Sequence, residues 1–375
     1  MKNTGTADQT LEKVCELFRI EGEMTGYQVI CMGNINQTYR VDFRRADGTE
    51  KSYILQKINT YVFQNPRQIM HNIDLVTEFI HDADPTKKCL HFHHTENRKN
   101  FYFDGEGNFW RLCNYIESKA FDTSDDPKIM RGAGEAFGRF QTMLSTFDAS
   151  SLYETIPDFH NTKKRIETFF THVEEDPFDR VHEVYYEIGY IAAMRHVASQ
   201  LTDMLEEGLL PLRVTHNDTK INNVLFDKNT HEALCVIDLD TVMPGLSVHD
   251  FGDAVRAACS TAAEDERDLH KVSLDLDKYR AFTEGFISQT ATALTKEELD
   301  TMALGAFTLA MELSVRFLDD YISGDKYFKT RYPGHNLDRA RCQMKLAQDM
   351  FSKQNQMKKI VHQTAAAAKK KAECK

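Results

Sequence analysis

Residues 210–256, LPLRVTHNDTKINNVLFDKNTHEALCVIDLDTVMPGLSVHDFGDAVR, limit what this chain can become more than any other stretch. Two apolar runs, 224–226 and 234–237, flank the polar segment 227–231 and are expected to pair as a β-hairpin. His216-Asn217-Asp218 stands just before the first run, Asn223 closes the gap to it, and Asp238 and Asp240 follow the second. Such a hairpin draws Asp218, Asn223, Asp238 and Asp240 into one small volume. Carboxylates gathered in this way repel one another unless a cation lies among them, and hard oxygen ligands suit Mg²⁺. Phosphoryl transfer needs this combination: one Asp to take the proton of an acceptor hydroxyl, and an Asn and an Asp to hold metal against nucleotide phosphates. As local structure alone, Asp218 would cap a turn and the IDLD carboxylates would end a strand. The order and spacing of the whole set favour a site.

The pattern H-x-D-x-x-x-x-N, then strand, turn and I-D-x-D, resembles the catalytic core of the aminoglycoside phosphotransferase and choline kinase group, small-molecule relatives of protein kinases. The resemblance implies an α+β, protein kinase-like fold of two lobes. A small β-rich N-lobe (residues 1–113) would bind nucleotide, and a larger, mostly helical C-lobe (114–375) would carry the catalytic loop and acceptor site.

Composition agrees with a two-lobed globular enzyme: 375 residues with 41% apolar content can bury a core in each lobe. The net charge of −11 argues against a nucleic-acid partner, which would need a basic face. The eight cysteines include no C-x-x-C pair and read as free thiols. The N-terminus lacks the apolar core of a signal peptide, and no long uncharged apolar run reads as a membrane span. A soluble, cytoplasmic protein without membrane attachment is expected; the oligomeric state is left open.

Along the chain, Leu11, Val14, Cys15 and Phe18 mark a short amphipathic helix. Strands are expected at 27–32, at 39–43 and from Tyr53. The small polar loop between the first two places Gly33, Asn34, Asn36 and Thr38 where phosphates are covered in a kinase-like chain. Asn65-Pro66 opens a helix with the stripe Ile69, Ile73, Val76 and Ile80, whose Asp74 or Glu78 could hold a phosphate-binding Lys. That Lys is absent: Gln56 occupies its position and Lys57 follows, on the opposite strand face. Either Gln56 contacts phosphate as a neutral donor or a bulge brings Lys57 round. Further strands are expected at 89–92, 101–103 and 109–116, with backbone groups from Asn114 to Ile116 meeting the adenine edge. His91, His93 and His94 read as a solvated strand rather than metal ligands. Helices follow from Asp126-Pro127, over about 180–207, 296–322 and 336–363. Asp250 in HDFGD reads as a brace for the catalytic loop.

A closer resemblance is carried by GNINQTYRV, YILQKINTYVF, FGRFQTMLSTFDAS, LRVTHNDTKINNVLFD, IDLDTVMPG, DFGDAVR, RFLDDYISGDKYF and YPGHN. Together these are similar to bacterial N-acetylhexosamine 1-kinases over about residues 25–350. The resemblance implies ATP-dependent phosphorylation of the anomeric hydroxyl of N-acetylglucosamine or N-acetylgalactosamine, with Gln56 as a family trait. It implies Asp218 as base and substrate contact, Asp238 with Asn223 as Mg²⁺ ligands, and Arg316 and Tyr327 as contacts to the sugar. The alternatives are a kinase of the same fold for an aminoglycoside, choline, homoserine or another sugar, and a nucleotide-binding pseudoenzyme. Asp319, Asp320 and Asp325 keep a cationic acceptor open.

Overall fold

The computed structural model describes residues 4–5, 9–30, 35–83 and 89–374. Gly33 and Asn34 lie outside the described residues. The first part of the chain builds an antiparallel sheet of β1 (Thr4–Gly5), β2 (Glu23–Ile30), β3 (Gln37–Arg44), β4 (Glu50–Ile58), β5 (Tyr102–Phe103) and β6 (Phe109–Asn114), in the order β1-β2-β3-β4-β6-β5. Alternation decides its two faces. Val41, Phe43, Tyr53, Leu55, Trp110 and Leu112 point to one side and pack under helix α1 (Gln9–Glu16) through Leu11, Val14 and Cys15. Ile58, Phe109 and Cys113 point to the other, where α2 (Pro66–Ala83) lays down Ile69, Ile73, Val76 and Ile80.

A short connection leads to the helical lobe. The Tyr115 N–H donates to Ser52 O (3.3 Å), and Lys119 and Phe226 exchange two backbone hydrogen bonds of 2.8 and 2.9 Å. The chain leaving the sheet is therefore sewn to the hairpin β8 (Val224–Phe226) and β9 (Ala233–Val236). Around the hairpin stand α3 (Pro127–Met143), α4 (Thr162–Glu175), α5 (Tyr185–Glu206), α6 (Ser247–Ala258), α7 (Leu276–Thr290), α8 (Lys296–Ile322), α9 (His335–Ser352) and α10 (Gln354–Glu373). Strands β7 (Arg213–Thr215) and β10 (Met243–Gly245) form a second small pair. The α+β, two-lobed architecture expected from the sequence is present.

Helix starts follow local chemistry. Asp126 accepts from Lys128 N ahead of Pro127, and Thr295 with Glu298 forms a capping box at the head of α8. Helix α8 is long and apolar enough to cross a membrane, but it is buried along its length as the central helix of this lobe. Its neighbours approach closely through glycine. A Cβ at Gly285 of α7 would collide with the Arg131 carbonyl of α3, and one at Gly134 of α3 with the Phe282 carbonyl of α7.

Several elements differ from expectation. The first long strand begins at Glu23, ahead of Tyr27. Residues 89–92 make only an isolated bridge, Phe92 with Cys113. Helices α4, α6 and α7 were not anticipated, and α4 buries only Thr162, Ile166 and Phe169, a weak stripe. The long helix from 180 begins at Tyr185 after a 3-10 turn over Val181–Glu183, and the last one breaks at Lys353 into α9 and α10.

Within the helical lobe, Glu312 of α8 is buried and accepts from Thr162 Oγ1 (2.7 Å) and His160 Nδ1 (3.0 Å), with Arg165 Nε at 3.5 Å. Burial works to raise its carboxyl, but His160, then Arg165 and Arg316, bring it down to about 2. The His249 ring lies 5.2 Å from that of His160, and burial, then the charge of His160, lowers its imidazole to about 3.

Two outcomes are expected from this packing. Gly285→Ala should lower unfolding free energy by about 2–3 kcal/mol through overpacking, whereas Gly189→Ala in α5, with open space around it, should raise it by about 0.5–1 kcal/mol; urea titration measures both. A histidine held below its ordinary value stabilises fully above pH 6.5 and loses that contribution as pH falls toward 3. Between pH 7 and 4.5 the wild type should therefore lose about 2 kcal/mol more stability than His249→Gln.

Candidate active site

The segment between β7 and α6 is fixed by buried polar contacts before any ligand is considered. Asp250, on the first turn of α6, accepts from the backbone N–H groups of His216 (2.9 Å) and Asn217 (2.8 Å) and from Gln141 Nε2 (2.8 Å). Thr219 donates its N–H to Asp253 (3.0 Å) and its hydroxyl to Asp250 O (2.6 Å). The brace expected of Asp250 is thus made through the backbone. His216, wholly buried, donates from Nε2 to Ile237 O (2.9 Å), while its Nδ1 accepts the Asp218 N–H (3.3 Å), an assignment set by the two partners. Asn217 and Asp238 both adopt positive φ, 63° and 62°. Backbone strain of this kind persists where surrounding contacts over-determine it.

These ties bring Asp218, Asn223 and Asp238 together. Asn223 Nδ2 donates to Asp218 O (2.8 Å) and Asp218 Oδ2 (3.2 Å), and Ile237 N–H donates to Asn223 O (2.9 Å). Lys220 Nζ lies 2.9 Å from Asp218 Oδ1. The Asp238 carboxylate accepts no hydrogen bond among the described residues. Crowding by protein, then the charges of Asp240 and Asp218, pushes it up to about 6. Its oxygens open onto the cleft, so water screens part of that effect. An unpartnered carboxylate between two others, beside an Asn whose N–H₂ is already spent, is the donor set a hard divalent cation fits.

The sheet supplies the upper wall. Thr38, Gln56 and Arg111 stand in one row across β3, β4 and β6 and share the cleft-side face. Gln56 Nε2 donates to Thr38 Oγ1 (3.1 Å), and Arg111 Nε donates to Gln56 Oε1 (2.8 Å). Pairing is regular through this row, with no bulge, so Lys57 stays on the far face, 5.7 Å from the Trp110 ring centre. Of the two possibilities raised for residues 56 and 57, only Gln56 faces the site. Asp240, expected as a further metal ligand, has both oxygens engaged: Arg111 Nη1 donates to Oδ1, and Asn36 Nδ2 to Oδ2 at 2.8 Å. Asp74 and Glu78 do not reach this wall. They gather with His94, whose Nε2 lies 3.7 Å from Asp74 Oδ2, so acidic partners that sequence spacing did not reveal stand beside one of the three histidines.

At the connection between lobes the Asn114 side chain turns back to accept His91 N–H (2.7 Å). The Ile116 N–H has no partner among the described residues, which leaves a backbone donor at the expected adenine edge. Arg316 is half-buried and makes no ion pair among the described residues. Its guanidinium lies among the rings of Phe159, Tyr327 and Phe328, at 5.7, 6.0 and 5.5 Å. Tyr327 is 74% exposed, an aromatic free to cover a ligand rather than part of the core. A cavity of about 160 Å³ also opens beside Lys220, Arg256, Glu264 and Gln343.

Arg111 and Lys220 were not singled out from the sequence. A signal for Arg111 was present: it is the one charged residue in the strand FWRLCN, and a buried Arg requires a buried partner.

Comparison with known proteins agrees with this geometry. Among solved structures, a microcompartment-associated aminopropanol kinase matches with a TM-score of 0.60 at 14% identity, covering 92% of this chain and 98% of that one. An amicoumacin kinase in complex with AMP-PNP, Ca²⁺ and Ami matches at 0.54 and 13%, covering 91% and 93%. A spectinomycin phosphotransferase in complex with ADP and its antibiotic matches at 0.57 and 12%, covering 93% and 98%. At such identities the likeness is one of fold. Residues 27–282, well over half of the chain, match the phosphotransferase enzyme family as a sequence family. With the braced loop, the hairpin and the two-lobed fold in place, the chain belongs to the phosphotransferase enzyme family.

Proposed function

We propose that the protein transfers the γ-phosphoryl group of ATP to the anomeric oxygen of an N-acetylhexosamine, N-acetylglucosamine or N-acetylgalactosamine. One observation carries the choice of a neutral acceptor over a cationic one. Each carboxylate that could have received an ammonium group in the C-terminal stretch is committed elsewhere. Asp319 is held by His172 Nδ1 at 2.7 Å. Asp320 accepts the N–H groups of Lys326, Tyr327 and Phe328 at 2.8–2.9 Å, and Asn336 Nδ2 at 2.8 Å. Asp325 pairs with Arg180 at 2.6 Å. Among the described residues the Arg316 guanidinium has ring contacts but no hydrogen bond or ion pair there, and it is a donor suited to sugar oxygens and an amide carbonyl.

In this reading Asp218 orients the O1 hydroxyl and takes its proton as the bond to phosphorus forms and the bond to the ADP oxygen breaks. Asn223 fixes Asp218, and Lys220 beside it offsets charge on the transferred group. The reaction is governed by positioning and charge neutralisation, which the braced backbone at 216–219 supplies. Asp238 and Asn223 would hold Mg²⁺, which when bound neutralises phosphate charge. The Ca²⁺ and AMP-PNP of the amicoumacin kinase complex support a divalent ion with nucleotide in this fold. Thr38, Asn36 and Gln56 would face the phosphates, and Ile116 N–H the adenine; Gly33 and Asn34 would join them from outside the described residues. Arg316 and Tyr327 would contact the sugar. ATP as co-substrate and free cysteines among the described residues are in keeping with the cytoplasm.

An acceptor panel followed by ADP release tests the reading. N-acetylhexosamines should turn over far faster than aminopropanol, choline or spectinomycin, and the reverse order would overturn it. Asp218→Asn should lower kcat by about 10²–10⁴-fold and leave the Kd for ATP within about threefold, since the base acts on the acceptor and not on the nucleotide. Arg316→Ala should raise the hexosamine KM by about tenfold or more, the cost of losing a charged donor, with the ATP KM unchanged. Equal changes in the two constants would make Arg316 a structural residue.

A further inference from the structure

Nucleotide phosphates brought near Asp238 need a cation from the upper lobe, and strand β4 places Gln56 where a lysine stands in related kinases. The row of side chains across the sheet shows what stands in for it. Arg111 is 2% exposed, yet its guanidinium lies on the cleft-side face. Nε is spent on Gln56 at 2.8 Å and Nη1 on Asp240, and Nη2 donates to nothing among the described residues. A guanidinium has five N–H donors in one plane, so it can be held by two partners and still present others to a phosphate. Other upper-lobe cations are placed differently: Lys57 lies against Trp110 on the far face, and Arg40 pairs with Asp42 at 2.9 Å.

The partner of Arg111 is equally telling. Asp240 belongs to the lower lobe, two residues after Asp238, while both groups it accepts from, Arg111 and Asn36, belong to the upper one. Asn36 is itself fixed by the Asn59 N–H, which donates to its Oδ1 at 3.0 Å. In kinases an acidic residue of the helix behind the sheet holds the phosphate-binding lysine in place. Here Asp74 and Glu78 of that helix gather with His94, and Asp240 fills the same need from the opposite side of the cleft.

We propose that Arg111 is the cation that neutralises the nucleotide phosphates in this chain, with Asp240 as the carboxylate that positions it rather than as a metal ligand. The inference rests on the kinase reading above and adds the residue that compensates for the missing lysine. It also ties phosphate binding to lobe closure, because the pair spans the two lobes.

Calorimetric binding of ADP and of adenosine to the full chain, both in EDTA so that metal ligation does not contribute, tests it. Arg111→Met should weaken ADP by about tenfold or more, the cost of losing a charged hydrogen-bond donor, with adenosine changed by less than about threefold. Arg111→Lys should recover most of the loss. Because Arg111→Met leaves Asp240 buried without its partner, the paired variant Arg111→Met/Asp240→Asn removes both charges at once and should show the same selective loss of ADP. Either Met-containing variant, folded and with the wild-type ratio of ADP to adenosine affinity, would overturn the role of Arg111 while leaving the kinase reading intact. A wild type that bound adenosine and ADP equally in EDTA would overturn that role as well, whereas a wild type that bound no ADP even with Mg²⁺ present would overturn the kinase reading.

Discussion

The arrangement depends first on one buried carboxylate, that of Asp250. It converts the backbone of His216 and Asn217 into a fixed shelf by accepting both N–H groups, and Gln141 from α3 secures it from behind. Buried backbone donors must be paired, so few other placements of the 215–219 segment satisfy them. Asp218 inherits its position from that shelf. His216 then carries the constraint across to Ile237, the residue before Asp238. Asp218 and Asp238, the proposed base and the proposed metal-binding carboxylate, are thereby tied through His216 and the main chain rather than through each other.

Charge is the second theme. Asp218, Asp238 and Asp240 lie close enough for Asp238 to feel the other two. The protein offsets this crowd unequally: Lys220 meets Asp218, Arg111 meets Asp240, and Asp238 has no counter-ion of its own among the described residues. An uncompensated carboxylate between two compensated ones is a costly arrangement for a structural core and a useful one for a cation site. Lower in the same lobe the pattern reverses around Glu312, where His160, Arg165 and Arg316 surround one carboxylate and Arg316 makes no direct ion pair with it. Arg316 is thus free for a ligand.

Much of the lower site was legible because its parts are close in sequence. Asn223 lies five positions after Asp218, and a single hairpin returns the chain to Asp238, so spacing and turn chemistry sufficed. The upper wall was not legible in the same way. Arg111 meets Gln56 only because β4 pairs with β6, with α2 and residues 89–108 in between, and no local pattern announces that register. Whether Gln56 or Lys57 faces the cleft turned on whether a bulge interrupts β4, and regular pairing puts Gln56 on that face. The acidic residues 319, 320 and 325 looked alike in sequence. Their commitments to His172, to a loop backbone and to Arg180 are long-range facts. Helix α4 was missed for a further reason: it buries too few residues to impose a stripe on its sequence.

The account's central claim is that a hydroxyl oxygen held at Asp218 attacks the γ-phosphorus of ATP. N-acetylglucosamine or N-acetylgalactosamine carrying ¹⁸O at the anomeric position, incubated with ATP and Mg²⁺ and followed by ³¹P NMR, tests it most directly. The account predicts a sugar 1-phosphate that retains the label in its C–O–P bridge, seen as an isotope shift of the phosphorus resonance. A product lacking the label in that bridge, phosphate on another sugar oxygen, or ATP consumed with no phosphorylated sugar would contradict it.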